Sequence, residues 1–410
     1  MTLRILHTAD WHLGQTLQGF ARDWEHSSAL DAVVEIARAK QIDALILAGD
    51  IFDRETPPAR AETLFYATMM QLRADNPQLT IVLVAGNHDS AGRVEAPRPL
   101  YAALGIHAVG HISRKDGALD MARHLVPLPD AAGVVRAHIL AIPYLHAANL
   151  PGYAKASEEG GSPIVREVGR LYAEAFANAR ALAGGLPVIA TGHLNVKGGE
   201  VSGGAERAIL IGGEHAVPAD AFDSGFAYVA LGHLHKPHPA GRREVRYSGS
   251  LFPLSATEMG HAHGVTLVTL VESLTQIEHV RIARPVPFLR VPETGAMLPG
   301  EVEAALLALK LDPALPREQH PFVQLALRFE GPAPSLTADL GRLSQSLPLR
   351  LLPSAFPGRD SGGPAAANIP QQNLAERDPA DLFAAAFLAR HNSPPDERHL
   401  RLFHAIMAEA

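Results

Sequence analysis

A layered α/β fold, with helices covering a central sheet, is predicted by three features of the 410-residue sequence. Short apolar runs recur through the first two thirds, segments with apolar residues at helical spacing lie between them, and several runs end in loops rich in histidine, aspartate and asparagine. Leu3 to His7, Ala44 to Ala48, Thr80 to Ala85, Ile139 to Ile142, Pro187 to Thr191, Ala227 to Leu231 and Gly264 to Leu270 read as core strands. Glu25 to Lys40 reads as a helix because Leu30, Val33, Val34 and Ala37 share one face, and Ile164 to Leu182 does so through Val165, Val168, Leu171, Ala175 and Ala179.

From about residue 285 prolines become frequent and interrupt a helix (Glu301 to Leu309) and a strand (Phe322 to Phe329), so residues 284–354 read as a smaller α+β domain, the alternative being a decorated extension of the first. Residues 355–377, centred on PGRDSGGPAAANIPQQ, read as a linker. Over residues 378–410 two short helices are expected, the first capped by Asp378 and Pro379, the second starting at Asp396 with Leu400, Phe403 and Met407 on one stripe. Helices this short bury little apolar surface alone, so they are expected to dock, onto a partner or onto their own chain.

Composition narrows the class. With no cysteine, 47% hydrophobic residues and 36 basic against 43 acidic residues, the chain is neither a disulfide scaffold nor a zinc-thiolate protein nor a disordered one. A formal charge of −7 argues against coating nucleic acid through a basic surface, but leaves DNA open as a substrate drawn by a local groove or by bound metal. The first ten residues lack the apolar core of a signal peptide, and apolar runs are of strand length, so a cytoplasmic protein is expected.

The chemistry gathers at strand ends: Asp10 and His12, Asp50 and Asp53, Asn87 and His88, His193, then His233 and His235. Open α/β sheets assemble sites in such loops, and glycine before Asp50, Asn87, His193 and His233 would allow a sharp exit from each strand. Any one pair is weak, because 21 histidines make chance pairs common and Gly-Asn-His-Asp is also good turn chemistry. Together they make a dinuclear metal site. Carboxylate, amide and imidazole without thiolate suit manganese(II), iron or zinc and disfavour calcium. Phosphate ester hydrolysis would use two metals, a bridging carboxylate and one unligated histidine for the leaving oxygen.

In this order, D-x-H, GD, GNHD, GH and GHLH resemble the calcineurin-like metallophosphoesterase superfamily. The strings ILHTADWHLGQTLQ, LAGDIFDRETPP, VAGNHDS, LGHLHKPH and RYSGSLFPLSATE resemble its bacterial double-strand-break repair nucleases, over roughly residues 1 to 280. The resemblance implies a four-layer sandwich of two central sheets flanked by helices (residues 1–283), a DNA-binding capping domain (284–354) and a C-terminal helical segment (378–410) that grips an ATPase partner. It implies one metal on Asp10, His12 and His235, another on Asn87, His193 and His233, Asp50 bridging them, and His88 as the transition-state histidine. Manganese(II) would be the cofactor, DNA the substrate, and a homodimer within a larger complex the assembly.

Archaeal relatives carry a histidine where this chain has Asp53. That residue would orient a ligating histidine or merely make a turn. Arg54, Arg93, Arg98 and Lys236 follow the ligand blocks and would touch phosphate or remain solvated charges. GDIFDRE also approaches the GD-x-x-DRG string of Ser/Thr phosphatases, which keeps a phosphatase as the alternative enzyme. A silent scaffold is disfavoured because every ligand position is filled.

Overall fold

The computed structural model describes residues 2–130, 132–146, 150, 162–200, 216–271, 274–328 and 336–355, together with Phe383, Phe387 and His399. The chain divides into two compact units, Met1–Ala355 and Phe356–Ala410. The first half of the larger unit runs β1 (Thr2–Thr8), α1 (Asp23–Lys40), β2 (Ala44–Ala48), α2 (Ala59–Asp75), β3 (Thr80–Val84) and β4 (Ile106–Val109). A second sheet follows from β5 (Leu125–Pro129), β6 (Val135–Leu140), α3 (Pro163–Ala183), β7 (Val188–His193), β8 (Tyr228–Gly232), β9 (His238–Ala240) and β10 (Arg242–Tyr247). The chain then returns to the first sheet with β11 (Gly264–Val271) and β12 (Leu274–Arg281).

The strand orders are β12-β11-β1-β2-β3-β4 and β9-β10-β8-β7-β6-β5. Strands β1 to β4 are mutually parallel, as are β6, β7, β8 and β10, while β11, β12, β5 and β9 add antiparallel edges. Every residue of β2 and β3 is buried, as expected of parallel strands covered on both faces. Alternation divides them: Leu45 and Leu47 meet Leu30, Val33, Phe65 and Met69 of α1 and α2, whereas Ala44, Ile46 and Ala48 face the second sheet's Ile139, Ile189 and Ala230. On the far side, Val168, Leu171, Tyr172 and Ala175 of α3 cover Leu140, Ala190 and Leu231. The fold is the expected four-layer sandwich of two sheets flanked by helices, each fully buried aliphatic side chain contributing about 1.5–3 kcal/mol.

Caps explain the helix ends. Ser162 accepts from the Val165 N–H and Pro163 opens α3, while Gly184 ends it in the left-handed region. Asp23 and Glu25 in the first turn of α1 and Arg38 and Lys40 in its last suit the helix dipole. The expected strand at Ile139 to Ile142 instead ends at Leu140, because the Ile142 N–H and C=O are both taken by the Thr191 hydroxyl. Several elements carry too little apolar pattern to be announced. β12 is a half-exposed edge, and the inner stripe of α2 includes Ala61 and Thr68.

Beyond residue 284, β13 (Phe288–Val291), α4 (Val302–Ala308), β14 (Phe322–Ala326), α5 (Leu336–Ser346) and β15 (Arg350–Ala355) form a three-stranded parallel sheet with two helices. Val323 and Leu325 pack toward Val302, Leu306 and Leu343, whereas Phe322 meets Leu17, Phe20 and Trp24 from the N-terminal region. Here a buried ionic cluster forms. Arg22 donates to Glu25 at 2.6 Å, Arg350 donates to the other Glu25 oxygen at 3.1 Å, and the two guanidinium groups lie against the Phe252 and Phe322 rings.

Ala355 closes β15, and the rest of the expected linker lies outside the described residues, as do the two C-terminal helices except at Phe383, Phe387 and His399. Those three are helical, with the Phe387 ring 5.7 Å from Phe383 and 4.7 Å from His399. Among the described residues no helix is long and apolar enough to cross a membrane.

Removing one member of a buried ionic cluster strands the others without counter-charge. Glu25→Ala is expected to cost about 3–5 kcal/mol, read as a fall in the urea midpoint; an unchanged midpoint would show that the two arginines find other partners.

Candidate metal centre

All eight predicted site residues meet at the carboxyl ends of parallel strands, where the two sheets approach each other. Asp10 and His12 follow β1, Asp50 follows β2, Asn87 and His88 follow β3, His193 ends β7, and His233 and His235 follow β8. Backbone bonds fasten the first two loops side by side, from Asp10 N–H to Gly49 O at 3.1 Å and from His12 N–H to Asp50 O at 3.0 Å. Four of these residues, Asp10, His12, Asp50 and His233, have positive φ between 45° and 101°. Each such conformation costs about 1–3 kcal/mol and is tolerated best by Asp, Asn and His, so the loops hold strain where they place side chains.

Ligand atoms of Asp10, His12 and His235 lie within 4.8 Å of one another, as do those of Asp10, Asp50 and His193 and those of His12, Asp50 and His88. On the second sheet's side, Asn87 Oδ1 is 3.0 Å from His193 Nε2 and 3.2 Å from His233 Nδ1. Asp50 stands between the groups, with Oδ2 3.4 Å from His12 Nε2 and Oδ1 3.4 Å from His193 Nε2. His88 sits at the rim, its backbone N–H donating to Asp50 Oδ1 at 2.9 Å.

The imidazoles are oriented from behind. His193 Nδ1 is 2.8 Å from Ala48 O and His88 Nδ1 is 2.8 Å from Asp53 O; a carbonyl only accepts, so both Nδ1 atoms carry the proton. His235 Nδ1 meets Glu258 at 2.8 Å, and His12 Nδ1 has Asp53 Oδ1 at 3.5 Å. Support of this kind sets the tautomer that leaves Nε2 bare for a cation.

The glycines expected to turn the chain serve mainly as room. Among them only Gly49 has positive φ, and a Cβ there would strike His193 Nδ1. A Cβ on Gly86 would strike the Asp50 carboxylate, and one on Gly232 the Ala48 carbonyl.

The profile of the calcineurin-like phosphoesterases matches residues 3–237. The SbcD component of the SbcCD nuclease from Rhodobacter capsulatus is 48% identical over 386 residues, 94% of this chain and 94% of its own. Its counterpart in Bacillus subtilis is 36% identical over 65% of this chain and 66% of the relative, and that of Escherichia coli K12 is 32% identical over 85% and 84%. The chain belongs to the SbcD family of calcineurin-like phosphoesterases. A member of that family is a dinuclear-metal phosphodiester hydrolase, and the clustered side chains fit such a pair of ions.

The fit rests on orphaned atoms. Asp10 Oδ2 and His12 Nε2 are buried without a hydrogen-bond partner, which a cation between them would satisfy. Burial pushes the Asp10 carboxyl up, partly offset by His193 and His235. Burial works the same way on Asp50, but His193, His12 and His88 together outweigh it and hold that carboxyl well below its ordinary range. Burial would lower His193, yet the attraction of Asp50 and Asp10 lifts it to about 9. His233 is pushed down to about 3 by burial and the neighbouring His193, which keeps it neutral.

Two supporting residues escaped sequence reasoning. Asp89 accepts the N–H groups of Gly86, Ile51 and Phe52, tying the β2 and β3 loops together; burial and the nearby Asp50 push it up to about 6 against those three donors. Its place in Gly-Asn-His-Asp was the available signal. Glu258 backs His235 and lay in the string RYSGSLFPLSATE without an assigned role. The four basic residues expected near phosphate lie at or near the surface: Arg54 pairs with Asp53 at 3.7 Å, Arg93 with Glu62 at 3.7 Å and Lys236 with Glu200, while Arg98 opens a short exposed helix.

Gly86→Ala is expected to displace the Asp50 carboxylate and weaken metal binding by about 10- to 100-fold, as for other losses of ligand geometry; metal analysis after gel filtration checks it, and full loading would show that the loop yields. A second expectation concerns protons. In the metal-free chain His193 is charged below pH 9, so its attraction to Asp50 stabilises the fold fully below 6.5 and fades as pH rises through about 9. A cation needs that nitrogen bare, so calorimetric titration at about pH 7.5 in two buffers should report about one proton released per chain, and affinity should rise toward pH 9. No proton release would mean that His193 is already neutral.

Proposed function

We propose that this protein is the nuclease subunit of an SbcC-type ATPase complex, cleaving DNA ends, hairpins and single strands in repair and recombination. The observation that carries the reading is Asp50, one oxygen facing the Asp10, His12 and His235 group and the other facing Asn87, His193 and His233. In this reading each triad would hold one manganese(II) ion, with Asp50 available to both. When bound, such ions would supply polarisation of the phosphoryl oxygens and a nucleophile at neutral pH.

The protein's own residues do the rest. Asp50, held ionised, keeps both triads in register, and Asp53 steadies the His12 ring from behind. His88, with Nδ1–H tied to Asp53 O, presents Nε2 at the rim, where a leaving oxygen receives a proton or a hydrogen bond. Residues 1–283 supply the chemistry, residues 284–354 cap the site and bind DNA, residues 355–377 link, and residues 378–410 hold the ATPase. The working form is a homodimer in a heterotetramer in the cytoplasm, with ATP-dependent 3′–5′ exonuclease activity on duplex ends and endonuclease activity on single strands. The names and extent of the relatives support this reading, and the net charge of −7 suits a component that shares DNA affinity with a partner.

The test is an end-labelled hairpin duplex and a phosphomonoester incubated with the manganese-loaded chain, with and without EDTA. EDTA-sensitive DNA cleavage is expected; turnover of the monoester alone would establish a phosphatase instead. In the same assay His88→Ala should keep two metals per chain while the rate falls about 100-fold or more, as for loss of a general acid. Full activity in that variant would remove His88 from the chemistry.

A further inference from the structure

Behind the metal cluster, Glu258 is completely buried. Its Oε1 lies 2.8 Å from His235 Nδ1, and its Oε2 accepts the Leu254 N–H at 2.8 Å. Glu258 also forms a close triad with His261 and His263 that resembles a cation site. The bonding argues otherwise: both carboxylate oxygens are committed, and His263 uses Nε2 on Glu258 O and Nδ1 on the Ser250 hydroxyl.

A buried carboxylate is costly unless its lone pairs are used, and here two donors converge on it from opposite sides. The Leu254 side is itself fixed, since Gln15 donates to Leu254 O at 3.0 Å and Arg22 to Pro253 O at 2.7 Å. The acceptor facing His235 is thus rigidly placed, as a supporting carboxylate must be to choose one tautomer.

We propose that Glu258 is the positioning residue of the Asp10, His12 and His235 site, accepting Nδ1–H from His235 so that the bare Nε2 is aimed at the cation. The inference rests on the metal-site reading given above. Glutamine cannot replace the carboxylate, because its amide nitrogen would face either His235 Nδ1–H or the Leu254 N–H, donor against donor. The role is to hold a ligand and not to touch substrate, so the effect belongs first to metal affinity.

Manganese titration of the metal-free full chain, followed by electron paramagnetic resonance, should show one ion bound about 10- to 100-fold more weakly in Glu258→Gln and the other unchanged. Lost turnover should return at high manganese. Equal weakening of both ions, or none, would overturn the proposal. A second measurement needs no variant. Nitrogen-15 spectra of the metal-free wild-type protein at about pH 8 should show the Nδ1–H tautomer for His235, and the Nε2–H tautomer would overturn the proposal even if Glu258→Gln fails to fold. His235→Ala separates the two levels of argument: an unchanged metal count overturns the metal reading together with this inference, whereas a lowered count with normal Glu258→Gln affinity overturns this inference alone.

Discussion

The close approach of the two sheets at their carboxyl ends is the constraint on which the site depends. His193, from the second sheet, donates its Nδ1–H to Ala48 O at the end of the first, across 145 residues of sequence. His233 N–H likewise reaches Asp10 Oδ1. Such contacts are possible only where no Cβ intervenes, which is why Gly49, Gly86 and Gly232 precede Asp50, Asn87 and His233. The shared core of Ile5, Ile46, Ile139 and Ile189 sets the spacing of the sheets, and the seam of hydrogen bonds sets their register. Neither sheet alone could place Asp50 between His12 and His193.

From that seam follows the distribution of cost. Four cluster residues in the left-handed region, the buried Asp10 and Asp50 among them, form an arrangement that a chain selected for stability alone would avoid. The expense is met by an unusually well-buried scaffold: β2, β3 and β8 are buried at every position. Left-handed backbone and an unpartnered buried polar atom coincide at both Asp10 and His12, where a cation would relieve them. The same logic fixes the imidazoles, since four of five turn Nδ1 toward a carbonyl or carboxylate and leave Nε2 for the cluster. His233 alone presents Nδ1, matching its approach from the opposite wall.

Much of this was legible because ligand chemistry and strand patterning coincide. A buried parallel strand is a continuous apolar run, and the polar residues that end it are conspicuous, so Ala44–Ala48 followed by Gly-Asp, or Thr80–Val84 followed by Gly-Asn-His, announces both element and site. Edge elements such as β12 had no such contrast. Asp89 and Glu258 were hidden for a different reason: the contacts that give them their roles, to the Ile51 and Phe52 N–H groups and to His235, span 38, 37 and 23 residues, and no local spacing encodes those contacts. The glycines were noticed, but for turning. Their requirement is the neighbour on the other sheet, which only the assembled sandwich supplies.

The last consequence joins the smaller sheet to the metal cluster. Arg350 of β15 shares Glu25 with Arg22, Arg22 holds Pro253 O, the adjacent Leu254 N–H meets Glu258, and Glu258 holds His235. Every link is buried or nearly so, hence weakly screened, and opening the first would leave charges in an apolar setting lined by Phe252, Phe288 and Phe322. Parting a buried pair costs about 3–5 kcal/mol, far above thermal energy. The smaller sheet is therefore held in one position against the N-terminal region in the isolated chain. A shift of that sheet requires an interaction of comparable strength from outside. Because Pro253 and Leu254 lie between the arginine and the glutamate, any such shift would reach His235 through the backbone that fixes its carboxylate.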